Sequence, residues 1–136
     1  MMARGFVLGV SILFIVDAGL SLPSSAFDLA GAWTTEKSVC PQVFKKNATS
    51  IVFTSDSEMW GRGFIVEGST IRGQTVKCTI KSKTETESDI NLIASCATDI
   101  MIDQIQLSFK KTGDDSITRE FPGMPGSESS FVRCSF

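Results

Sequence analysis

The stretch Thr75-Val76-Lys77-Cys78-Thr79-Ile80-Lys81 decides the fold class. Val76, Cys78 and Ile80 alternate with Thr75, Lys77, Thr79 and Lys81. A period of two places one face of a strand against a core and the other in water. The pattern recurs downstream: Ile90, Leu92, Ala94 and Cys96 share a face, then Ile105, Leu107 and Phe109, then Ile117, Arg119 and Phe121. Shorter strand candidates cover residues 30–37, 50–54, 63–67, 70–72 and 129–136. Glu67-Gly68-Ser69 and Thr112-Gly113-Asp114-Asp115 suit tight hairpin turns. Only residues 40–46 suit a single helical turn; no longer window carries a 3.6-residue period. About eight short strands joined by hairpins predict an all-β protein. A small antiparallel up-and-down β-barrel is the expected architecture, with a β-sandwich as the alternative.

Upstream of these strands the chain changes character. Arg4 precedes the apolar run of residues 5–16, Asp17 interrupts it, and Pro23-Ser24-Ser25-Ala26 follows. A positive start, a short apolar segment and small residues before a cut after Ala26 form the pattern of a secretory signal. Residues 1–26 are therefore expected to be a signal peptide, forming an N-terminal signal helix, and residues 27–136 a single exported domain. An uncleaved anchor is the rival reading, and the run is short for a bilayer span. The expected location is periplasmic or secreted, with no membrane span after cleavage.

The four cysteines, Cys40, Cys78, Cys96 and Cys134, all follow that cut. An even count in an exported chain reads as a disulfide framework, and no Cys-x-x-Cys spacing suggests redox or zinc chemistry. Sequence leaves three connectivities open. If the polar residues 83–89 form a hairpin loop, Cys78 faces Cys96 on the neighbouring strand, which leaves Cys40 for Cys134.

Composition excludes more than it proposes. The net charge is −2, against nucleic-acid binding. The chain contains no His and no Tyr, so Ser–His–Asp and Cys–His catalysis and His-built zinc sites are ruled out. No paired-carboxylate arrangement stands out, and Asp99, Asp103, Asp114 and Asp115 lack the ordered oxygen donors of a calcium loop. No enzymatic activity, cofactor or metal is expected.

Gly31-Ala32-Trp33, at the start of the first strand candidate, resembles the Gly-x-Trp opening of lipocalin-like (calycin) barrels. The resemblance implies that Trp33 plugs one end of a barrel while an arginine of the last strand, here Arg133, packs across its ring. Small bacterial periplasmic metalloprotease inhibitors are similar in size and in this opening. The resemblance leans bacterial, so the sequon Asn47-Ala48-Thr49 reads as a chance match.

Two segments are candidate recognition loops. Trp60-Gly61-Arg62-Gly63-Phe64 brings an arginine between aromatics, residue types favoured at binding hot spots. Pro122-Gly123-Met124-Pro125-Gly126 is stiffened by its prolines and shaped by its glycines, and a preorganised loop loses little entropy on binding. Trp60, Arg62, Phe64, Pro122, Met124 and Pro125 are the candidate binding residues. The expected function is a non-enzymatic binder of another protein, in its sharpest form a hydrolase inhibitor. Alternatives are a carrier of a small hydrophobic ligand, lined by Phe53, Phe64, Leu92, Leu107 and Phe109, and an envelope structural protein. A barrel this short is expected to fill its own interior with those side chains.

Overall fold

A computed structural model describes residue 19, residues 26–59 and residues 63–136. The expected signal helix lies outside the described residues, as do Trp60 and Arg62. Among the described residues no helix is long and apolar enough to cross a membrane.

The strands are β1 (Gly31–Thr34), β2 (Phe44–Asn47), β3 (Ser50–Phe53), β4 (Gly63–Glu67), β5 (Thr70–Arg72), β6 (Lys77–Glu85), β7 (Asp89–Ala97), β8 (Ile102–Gly113), β9 (Ser116–Glu120) and β10 (Ser129–Arg133). Strands β4 to β10 follow one another as antiparallel neighbours, and β1 closes the circle between β10 and β4. The result is an eight-stranded up-and-down barrel. Closure leaves no sheet edge in the barrel to template association.

The inward residues of the alternating runs meet in one core: Ile90, Leu92, Ala94, Leu107, Phe109, Ile117 and Phe131 are buried together with Trp33. A bulge between Ile80 and Ser82 shifts the β6 register by one residue. Beyond it Lys83 pairs with Leu92 and Glu85 with Ile90. The bulge therefore turns Lys83 and Glu85 onto the face that carries the core residues of β7. The segment expected to be a loop from residue 83 is thus strand as far as Glu85.

Between β1 and β4 the chain leaves the barrel. The expected helical turn is Cys40–Val43, but Phe44–Asn47 is strand, paired with β3 in a separate hairpin. This excursion covers the outer face of β1 and β4, where Ala32, Cys40, Val43, Phe44, Ile65 and Cys134 form a second small core. Gly63 is required there: a Cβ would lie 2.7 Å from the Phe44 ring and 2.9 Å from the Trp33 carbonyl oxygen. The Cys40–Cys134 bridge ties the excursion to the residue after β10, and Cys78–Cys96 links β6 to β7 at directly opposed positions.

Candidate ligand site

One end of the barrel is plugged. Trp33 is completely buried, and its indole Nε1 donates to the Leu29 carbonyl at 2.8 Å. The Arg133 guanidinium carbon lies 4.5 Å from the Trp33 ring centroid. Arg133 Nε donates to Asp115 Oδ1 at 2.9 Å, and its terminal nitrogens donate to the carbonyls of Asp28, Ala30 and Asp114. Beside it, Glu85 Oε1 accepts the Phe27 backbone N–H at 2.7 Å and pairs with Lys111 Nζ at 2.7 Å. The hydrogen bond to Lys111 holds the Glu85 carboxyl below the usual carboxylate range; burial opposes this, and the Phe27 N–H and the Lys83 charge add to it.

The other end is open. Above the Trp33–Phe64 stack, whose ring centroids are 6.4 Å apart, the barrel holds a cavity of about 480 Å³. That is within the range of small-molecule sites, ~300–1,000 Å³. Phe64, Ile71, Val76, Ile105, Leu107, Phe109 and Phe131 supply its apolar wall, with the Cys78–Cys96 bridge on one side. Its polar residues stand at and near the mouth: Gln74, Thr75, Thr98, Asp103, Arg119 and Ser129.

Arg119 shares the inward face of β9 with Ile117, Phe121 follows just beyond the strand, and the position of Arg119 pairs with Phe109. Its guanidinium carbon lies 4.6 Å from the Phe121 ring centroid. Partial burial lowers its pKa, yet an arginine stays charged at neutral pH. Among the described residues its guanidinium has no hydrogen bond or ion pair.

The sequence candidates divide between cavity, rim and exterior. Phe64 is not part of an exposed recognition loop: it lies in the cavity floor, against Trp33, Phe109 and Phe131. Pro122, Met124 and Pro125 are exposed in the β9–β10 loop at the mouth. There Phe121-Pro122-Gly123-Met124 and Met124-Pro125-Gly126-Ser127 each close with a backbone hydrogen bond, with Gly123 at φ +83° and Gly126 at φ +86°. Proline at the second and a positive-φ glycine at the third position mark two successive type II turns. Of the proposed carrier lining, Phe64, Leu107 and Phe109 reach the cavity. Leu92 is sealed in the core, and Phe53 lies outside the barrel against Phe44. The interior is not filled, contrary to expectation. The bulky plug of Phe27, Trp33 and Phe64 occupies one end, and the walls of β6, β7 and β8 rise above it. Arg119 was visible in the sequence as a charge on an apolar face; that break in the alternation was the signal.

Among the described residues no three Cys, Asp or Glu side chains converge as a metal site would require. Fold and site together define an antiparallel β-barrel with one plugged end and one open, apolar chamber. Comparison with protein families, with curated proteins and with solved structures finds no match.

Proposed function

We propose that this protein is an exported carrier that binds a small, largely apolar molecule in the open end of its barrel. The single observation that supports the reading is the apolar chamber of about 480 Å³ above the Trp33–Phe64 floor. Apolar surface left facing water inside a barrel favours a ligand that removes it, at roughly 25 cal/mol per Å² covered. Two disulfides suit an oxidising compartment, and the leader pattern of residues 1–26 supports export. The test is fluorescence titration with the neutral probe N-phenyl-1-naphthylamine. The reading predicts saturable micromolar binding that Leu107→Trp abolishes by filling the chamber. No saturable binding, or binding indifferent to Leu107→Trp, overturns it.

A second reading, a protein binder of hydrolase-inhibitor type, is favoured by the rim. Ile100, Met101 and Ile102 at the tip of the β7–β8 hairpin and Met124 in the β9–β10 loop are exposed, Ile100 at 94%. Exposed apolar side chains grouped at one end of a molecule suit a partner surface. Incubation with secreted proteases and lysozymes tests it; no inhibition at micromolar protein removes the inhibitor form.

A further inference from the structure

We propose that the barrel's ligand is an amphipathic monoanion, an apolar chain ended by a carboxylate, whose head group is held by the Arg119 guanidinium. This rests on the cavity being a ligand site and names the class of ligand it takes.

The inference starts from an unmatched charge. Several barrel cations find carboxylate partners, among them Arg72 with Glu67, Lys111 with Glu85 and Arg133 with Asp115, while Lys77, Lys81 and Lys110 stand exposed to water. Arg119 is half-buried against the same chamber, and its guanidinium lies over the Phe121 ring with no carboxylate partner among the described residues. Taking a guanidinium out of water without an acceptor is unfavourable. Its nitrogens are nonetheless not sealed away: Thr34 Oγ1 is the one fully buried side-chain polar atom without a partner among the described residues. The donors of Arg119 therefore remain reachable by solvent, and the residue lines the cavity. Burial also lowers its pKa, the response of a cation that lacks a counter-charge.

Geometry fixes the polarity of the ligand. The deep walls are Phe64, Ile71, Leu107 and Phe131, which suit a hydrocarbon tail. Arg119 springs from the level of Phe109, and its guanidinium lies against Phe121, the residue between β9 and the mouth loop. A tail-down ligand thus presents its head group at the level of the arginine. The planar fork of donors matches a carboxylate with two parallel hydrogen bonds. The charge count selects a monoanion: Arg119 is the one cation among the described lining residues, and Asp103, nearer the tip of the β7–β8 hairpin, opposes any second negative charge.

The experiment is calorimetric titration of the purified oxidised protein with decanoate, decanol and decyltrimethylammonium, below their micelle concentrations. Decanoate is expected to bind at least about tenfold tighter than decanol, the scale of one charge-assisted hydrogen-bonded contact. Decyltrimethylammonium is expected to bind weakest. Arg119→Gln should bring decanoate down to the affinity of decanol and leave decanol unchanged. Equal binding of decanol and decanoate by the unaltered protein overturns the head-group assignment while the apolar cavity stands. Binding of none of the three overturns the cavity reading as well. Because the head-group series needs no variant, a folding failure of Arg119→Gln leaves that comparison decisive.

Discussion

Trp33 concentrates the physics of the plugged end in one side chain. It is buried, hydrogen-bonded to Leu29, stacked on Phe64 and covered by Arg133. Trp33→Ala should cost about 3–5 kcal/mol in urea unfolding, whereas loss of under 1 kcal/mol would show that the plug is dispensable. Glu85 gives the same end a pH dependence. Its carboxyl is held low in the folded state, chiefly by Lys111. Its stabilisation is therefore complete above the unfolded glutamate value of about 4.3 and is lost as pH falls through the lower folded value. Glu85→Gln should flatten that acid limb of the stability curve; an unchanged limb would assign the acid sensitivity elsewhere. The backbone nitrogen that Glu85 holds belongs to Phe27, the first residue after the expected cut. Removal of the leader after Ala26 would place an α-ammonium there. A chain beginning at Phe27 should then be more stable than one retaining Ala26, by up to about 1 kcal/mol, and equal melting temperatures would argue against that ion pair.

At the scale of elements, period two made the strands legible because most inward side chains of β7, β8 and β9 are apolar and most outward ones polar. The pattern failed where partners inside the fold satisfy polar groups. Lys83 and Glu85 looked like loop because the bulge after Ile80 reverses the face they occupy, and the Phe27 N–H and Lys111 that receive Glu85 are remote in sequence. Strand β2 was illegible for another reason: Lys45, Lys46 and Asn47 are exposed, and only Phe44 carries its burial. The two bridges act on different elements. Cys40–Cys134 closes a span of 94 residues and Cys78–Cys96 one of 18. Chain entropy makes the longer bridge worth more, about 4–5 against about 3 kcal/mol. Replacing Cys40 and Cys134 by serine should lower stability more than replacing Cys78 and Cys96, measured by chemical denaturation. The opposite order would mean that β6–β7 pairing, rather than attachment of the β2–β3 excursion, limits stability.

At the scale of the whole molecule, the barrel was legible and its hollow was not. Alternation shows which residues face inward but not whether their volumes fill the space they enclose. That depends on how far each wall rises above the plug, and the difference between the long β8 and the short β9 and β10 is a matter of pairing rather than pattern. Arg119 belongs to this scale too, since only the closed barrel shows that its inward guanidinium faces no carboxylate partner among the described residues. The mouth loop, held by Gly123 and Gly126 at positive φ, should loosen in Gly123→Ala, at a cost of about 1–3 kcal/mol. Faster amide exchange confined to residues 121–128 would register it; unchanged exchange would show that the turn tolerates a side chain.

The most direct test is a nuclear magnetic resonance titration of the isotope-labelled protein with decanoate. The account predicts saturable shifts at Phe64, Ile71, Leu107, Arg119 and Phe131, with the β2–β3 hairpin silent. Shifts gathered on that hairpin or on the plugged end, or none at all, would contradict it.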